Sequence, residues 1–308
     1  MPTWNEAIEG YWLAKRQNMS KNTVIDYART FRRFGDWIDQ DKVEKVRPQD
    51  VQAFLLHLKE EGGLAPKTVS NSWIALSSLW TWLHAELQIK HIMKSVDKPK
   101  FRRKSPEPFT EKEVKRLLFA CHAMKAYDPV HDCYVEGLRP TAARDYAIMV
   151  VLVATGLRAS ELCDLNVGDY DKKLGKLVVR HGKGDKMRIL YAGSTAMQRM
   201  WRYFLVRGQN LQPNEPLFLG KFGSRMTPNG LLQMIRRAGE RADVKKAHPH
   251  RFRHTFAINF LRNGGSVLEL KAMLGHEKLE TVLIYARLAE VDLEMAQRRS
   301  NVADTWNL

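Results

Sequence analysis

The 308-residue sequence lacks an apolar run long enough to cross a bilayer. Its longest, 146–154, is half of the roughly 20 residues a spanning helix needs. The chain opens Met1-Pro2-Thr3-Trp4 and reaches Glu6 and Glu9 with neither a basic n-region nor an apolar h-region, so no secretory signal is expected. Cysteine is scarce and odd in number. Cys121, Cys133 and Cys163 are scattered, which excludes a disulfide framework and fits reduced thiols in a cytoplasmic protein. There is no Walker loop, no Gly-rich dinucleotide turn and no carboxylate cluster of the two-metal type. His248-Pro249-His250 could mimic a ligand pair, but no Cys or acid stands at zinc spacing. Neither a metal nor a nucleotide cofactor is expected.

Acidic residues are also short, 34 Asp and Glu against 50 Lys and Arg, which leaves a formal charge of +16 and a pI near 9.8. Both halves share the excess: 18 basic against 12 acidic residues through Lys104, and 32 against 22 after it. A partner held by both halves fits this distribution, and nucleic acid is the usual one. The most concentrated charge lies between 94 and 108, where Lys98, Lys100, Arg102, Arg103 and Lys104 alternate with Pro99, Pro106 and Pro108. Proline spacing keeps this stretch from being helical throughout, so an extended basic linker able to lie along a phosphate backbone is expected.

Residues 1 to about 90 read as four short helices. Ser20 is a natural N-cap for a helix carrying Val24, Tyr27, Phe31, Phe34 and Ile38 at helical spacing. Pro48 and Pro66 open two more, and the aromatic stripe through Trp73 and Trp80 reads as core. Lys15, Arg16, Lys21, Arg29, Arg32, Arg33 and Lys67 fall on the outer faces, as a solvated face or a nucleic-acid surface. Further on, Thr110 and Glu113 make a capping box for a helix through about residue 124. Residues 126–141 read as a long polar loop without an assigned role. An apolar helix over 142–155 stops at Gly156, and Arg158 and Glu161 sit at i, i+3 on the next. Residues 176–180 and 186–190 read as two strands, with Lys183 at the glycine-flanked tip between them.

The densest constellation spans 248–285. His250, Arg253 and His254 fall at i, i+3 and i+4, so a helix presents them on one face. A second helix over 267–274 ends at Gly275, followed by His276 and a third amphipathic run that carries Tyr285. Each histidine alone could be a satisfied core residue, and Tyr285 the polar end of a packed helix. Together they gather cations and hydrogen-bond donors suited to an anionic, oxygen-rich centre such as a phosphate. A phenol among them can act as a nucleophile if a neighbour takes its proton.

The run 154–162, Lys183, His250-x-x-Arg253-His254-Thr255, Leu274-Gly275-His276 and Tyr285 resemble, in order and spacing, the tyrosine recombinases of the phage integrase family, close in size to the Xer type. The resemblance implies a mostly α chain with a small antiparallel β-sheet: a helical core-binding, DNA-binding domain over 1–94, a basic linker over 95–107, and an α+β catalytic domain over 108–308. It further implies that Tyr285 attacks a DNA phosphate to form a 3′-phosphotyrosine, and that Arg158 and Arg253 hold the non-bridging oxygens. Lys183 would be the general acid, His250 the proton acceptor for Tyr285, His276 a phosphate donor, and Glu161 a supporting residue behind them. The implied partner is double-stranded DNA with an inverted-repeat core site, bound by a homotetramer on two sites. A Tyr-type topoisomerase, a hairpin resolvase and a non-catalytic DNA-binding protein on the same fold are the competing readings. In the tail, Leu288, Val291 and Met295 form a stripe, and Val302, Trp306 and Leu308 are apolar at a terminus. Docking of that tail into a neighbouring protomer is expected, against folding back on its own domain.

Overall fold

The computed structural model describes residues 2–38, 42–102, 105–128, 133–180, 187–208, 210–275, 279–289 and 301, with backbone alone for the strands between 123 and 138. Arg103, Lys104, Lys183, His276 and the tail positions singled out beyond 289 lie outside the described residues. The chain forms two compact units, Met1–Lys104 and Ser105–Leu308.

The first unit contains α1 (Trp4–Lys15), α2 (Lys21–Trp37), α3 (Pro48–Glu60) and α4 (Pro66–Leu87). Thr3 and Glu6 cap α1 reciprocally, the Ser20 hydroxyl accepts from the Thr23 N–H at 3.1 Å, and Pro48 and Pro66 occupy first-turn positions where a missing N–H costs nothing. The aromatic stripe is the core: Phe34 meets Phe54 edge-on at 5.0 Å, and Tyr11 meets Phe31 at 5.5 Å. The basic segment is less free than its prolines imply. A 3-10 turn over Ile92–Ser95 buries Ile92 and Met93, Val96 is buried behind it, and the Trp73 indole donates to the Val96 carbonyl at 3.0 Å. Lys98 sits over the Trp73 ring, and Lys67 over Phe101. Apolar anchors between the cations thus lay the start of the expected linker on α4, leaving Lys98, Lys100 and Arg102 exposed.

The second unit runs α5 (Glu111–Phe119), β1 (Ala123–Asp128), β2 (Cys133–Leu138), α6 (Ala142–Thr155), α7 (Ala159–Asp164), β3 (Tyr170–Asp171), β4 (Lys176–Val179), β5 (Arg188–Tyr191), α8 (Ser194–Arg207), α9 (Pro228–Arg241), α10 (Pro249–Arg262), α11 (Val267–Leu274) and α12 (Glu280–Ala289). The chain over 126–141 is not a structureless loop. β1 and β2 pair antiparallel from Ala123 opposite Leu138 to Asp128 opposite Cys133, and α5 ends at Phe119 to make room for them. Tyr127, Tyr134 and Val135 are strand formers that the polar composition concealed. The expected pair β4–β5 gains a third strand, β3, and the order is β3-β4-β5, all antiparallel.

Two apolar clusters make up this unit. The larger surrounds α6, whose Ala147, Ile148, Val151 and Leu152 are fully buried, and includes Leu177, Val179 and Leu190 from the sheet. The smaller joins α10, α11 and α12 through Phe256, Ile258, Leu261, Leu270, Leu274, Val282 and Tyr285. Helix α10 belongs to both, with Phe252 in the first and Phe256 in the second. Gly156, at φ +63°, ends α6 where a Cβ would stand 2.3 Å from the Phe256 ring. Gly156→Ala should therefore lower the stability of the second unit by roughly 1–3 kcal/mol in urea unfolding, the usual size for backbone strain. An unchanged midpoint and slope would mean that the turn relaxes without involving α10.

Candidate functional site

Helical periodicity sorts the cluster at the start of α10. His248 caps the helix, its Nδ1 accepting from the Arg251 N–H at 3.1 Å. Arg251 points away from the site and pins α5: its Nη2 reaches both Glu113 carboxylate oxygens at 2.8 and 3.0 Å, and its guanidinium lies over Phe109. Phe252 enters the core against Phe109, ring centroids 4.7 Å apart. His250, Arg253 and His254 are left to share the third face, as i, i+3, i+4 spacing requires.

Arg253 is 1% exposed. Its Nη1 donates to the Gly156 carbonyl and its Nη2 to the Leu274 carbonyl, both at 2.8 Å. Arg158, the N-cap of α7, donates from its backbone N–H to Glu161 Oε2 at 2.8 Å and from Nη1 to Oε1 at 2.7 Å. Its Nη2 reaches the Gly275 carbonyl at 3.3 Å. A third guanidinium completes the group. Arg188, at the start of β5, grips Glu161 with Nη1 at 3.0 Å and Nη2 at 2.7 Å, and donates from Nε to the Met273 carbonyl at 2.8 Å. The last carbonyls of α11, which no intrahelical N–H can satisfy, are thereby held by three arginines. Gly275 fits this packing with φ +62°, and a Cβ there would stand 3.2 Å from Arg188 Nη1.

Tyr285, on α12, is 4% exposed, and its hydroxyl lies 3.0 Å from His254 Nδ1. The His250 ring stands edge-on to His254 with centroids 4.6 Å apart. Titration follows burial and charge. Burial would raise the Glu161 carboxyl, but the Arg188 side chain and the Arg158 N–H, with the charge of Arg188, hold it at about 2. Burial and the neighbouring Arg158 bring Arg253 down to about 10. Burial lowers His250, with Arg253 adding to the effect, and pushes His254 down to about 4, assisted by His250. Burial raises the Tyr285 phenol against the opposing pull of Arg253 and Arg158. At neutral pH the site is cationic, its imidazoles neutral and its phenol protonated.

The structure thus brings together Arg158, Glu161, His250, Arg253 and Tyr285 from the sequence-derived set. The phenol's partner is His254, where His250 was expected to take its proton; the four-residue spacing puts both on one face and left the choice open. Lys183 and His276 are outside the described residues. Arg188 was missed. The signal was available in strand alternation, because Arg188 shares a face of β5 with Leu190, which is 1% exposed. Beside His250 opens a cleft of about 810 Å³, bordered by Arg236, Lys245 and Lys246 and also by Glu240 and Asp243. Such a site offers fixed donors to an anion and a phenol to attack it.

Comparison with known proteins gives the family. The profile of the phage integrase family matches residues 107–291, and that of a phage integrase N-terminal SAM-like domain matches residues 11–89. The chain is 31% identical to the tyrosine recombinase XerC of Bacillus licheniformis, over 91% of this chain and 90% of that one. It is 30% identical to the tyrosine recombinase XerD of Oceanobacillus iheyensis, over 94% and 95%. Among solved structures, the Tn1549 transposon integrase in complex with a circular intermediate DNA shares the fold, with a TM-score of 0.75, 20% identity, and coverage of 92% and 95%.

The carboxylate at the centre makes a testable demand. Because Glu161 is held near 2 instead of 4.5, its contribution of about 3 kcal/mol is present above pH 4.5 and lost as pH falls toward 2. Glu161→Gln should unfold more easily at neutral pH, and its deficit relative to wild type should close across that acid window. A deficit that persists below it would mean that the cost is steric and not electrostatic.

Proposed function

Since the chain belongs to the phage integrase family and is a tyrosine-type site-specific recombinase, we propose that it cuts and rejoins double-stranded DNA through a 3′-phosphotyrosyl link to Tyr285, without metal or ATP. The observation that carries this reading is the burial of the Tyr285 phenol in one cluster with the guanidiniums of Arg158 and Arg253. In cleavage, the Tyr285 oxygen bonds to phosphorus and the bond from phosphorus to the 5′-oxygen breaks. The phenol's proton passes to His250, and Lys183 donates one to the departing 5′-oxygen. Arg158 and Arg253 offset charge on the non-bridging oxygens, the role that metals fill in other phosphoryl-transfer sites, with His276 as a further donor. Glu161 keeps Arg158 in place. The covalent link conserves the phosphodiester's energy, so attack by a 5′-hydroxyl reverses it without a nucleotide.

DNA as the partner is supported by the net charge of +16 and by the transposon integrase solved with DNA. Lys98, Lys100, Arg102, Arg103 and Lys104 are assigned to phosphate contacts outside the chemistry. The working assembly is a homotetramer on two inverted-repeat sites, coupled by the apolar tail beyond residue 290. A reducing, cytoplasmic setting suits the thiols of Cys121 and Cys163, which are free and buried, with burial pushing each up to about 12.

Tyr285→Phe should abolish strand cleavage and leave DNA binding nearly unchanged, whereas Arg158→Ala or Arg253→Ala should each slow cleavage by roughly 10²-fold or more. Covalent adduct formed by the Phe variant at the wild-type rate would remove the phenol from the mechanism. Neutralising the five cations between 98 and 104 should weaken binding and flatten its salt dependence, by nearly one unit of slope for each lost phosphate contact. An unaltered slope would place the segment away from the backbone.

A further inference from the structure

The family reading leaves His254 without a task, yet it is the residue that touches the reacting atom. Among the described residues, His254 Nδ1 is the hydrogen-bond partner of the Tyr285 hydroxyl, at 3.0 Å. We propose that His254 is the positioning residue for the nucleophile, its Nδ1 accepting a hydrogen bond from the phenol and fixing the hydroxyl in the site before substrate arrives. The inference rests on Tyr285 being the nucleophile.

The direction of the hydrogen bond follows from the charges around it. Burial holds the imidazole neutral, at about 4, and keeps the phenol protonated. A protonated phenol is the donor to an unprotonated Nδ1, which puts the imidazole's own proton on Nε2. Burial lowers both imidazoles and raises the phenol, so at rest neither His254 nor His250 deprotonates it and the group held is a hydroxyl. At rest, then, His254 holds the hydroxyl without taking its proton. His250 stands edge-on to His254, with ring centroids 4.6 Å apart.

The geometry also shows why such a tether is useful. Tyr285 is carried on α12, whose packing on α10 and α11 is mostly apolar, through Val282, Ala289, Ile258 and Leu270, with Arg262 donating to the Leu288 carbonyl at 3.4 Å. Apolar contacts are non-directional and leave the distal end of a phenol the least constrained. His254 lies on α10, the helix that also carries Arg253, so one hydrogen bond registers the nucleophile against the guanidinium that receives the phosphate. A displacement of about 1 Å at a reacting atom can cost on the order of 10²-fold in rate.

The test uses the full chain with His254→Asn and His254→Phe. Asn places an amide oxygen near the position of Nδ1 and still accepts the phenol's hydrogen bond; Phe fills the space and accepts nothing. Single-turnover cleavage is followed on a nicked duplex carrying the site that this protein selects from random-sequence DNA. The Phe variant should cleave at least about 10-fold more slowly, and Asn should recover most of that loss. DNA affinity and thermal midpoint should stay at wild-type values in both. In DNA-free protein with 3-fluorotyrosine at position 285, the ¹⁹F resonance should shift in the Phe variant and return toward wild type with Asn. Cleavage by the Phe variant at the wild-type rate or faster, or an Asn variant as slow as Phe, overturns the proposal. The Tyr285→Phe control separates the two levels: an adduct that survives it defeats the nucleophile assignment itself, whereas an adduct that needs Tyr285 but ignores His254 defeats only this inference.

Discussion

The buried carboxylate of Glu161 is the constraint on which the rest of the site depends. A carboxylate that is 4% exposed must be paired or neutralised, and here Arg158 and Arg188 keep it ionised. Removing one partner of such a group leaves an uncompensated charge, which typically costs several kcal/mol. The dependence runs outward from there. Arg158 opens α7, Arg188 opens β5, and both reach on to carbonyls at the end of α11, where Arg253 joins them from α10. Four separate pieces of chain are thus referenced to one negative charge and one helix terminus. The guanidiniums are oriented by the framework before any substrate anion enters, which is the condition under which fixed donors stabilise a transition state most effectively.

The protonation states give this preorganised site a quiet resting form. Its imidazoles are neutral and its phenol protonated, so among the described residues none deprotonates Tyr285 at rest. A phosphodiester bound there, as proposed, would add negative charge beside His250 and His254 and favour their protonated forms. Substrate would thereby raise the basicity that its own cleavage requires. On the proposed mechanism, the burial that raises the phenol would also keep a reactive phenolate from forming before DNA binds.

Much of this was legible in the residues themselves. Helix starts at Ser20, Pro48, Pro66 and Thr110 were fixed by local capping chemistry, and Gly156 and Gly275 marked helix ends because a left-handed residue is needed there. The one-face grouping of His250, Arg253 and His254 followed from periodicity alone. What stayed hidden depends on contacts distant in sequence. Arg188 lies 27 residues from Glu161, and neither residue alone announces the other. Which histidine meets Tyr285 is decided by how α12 packs on α10, which spacing along α10 does not encode. The hairpin between Ala123 and Leu138 was masked by a polar, Pro-containing composition, and Val96 with Trp73 drew the start of the basic segment onto α4.

The central claim is that the cluster around Tyr285 transfers a DNA phosphate to the phenol with arginines in the place of metals. Its most direct measurement is the identity of the covalent link formed on a nicked duplex in excess EDTA, read by mass spectrometry after digestion of protein and DNA. The account predicts a peptide carrying Tyr285 joined to a 3′-phosphate, formed at an undiminished rate. An adduct on another residue, a link to the 5′ end, or a rate that returns only when divalent metal is added would contradict it.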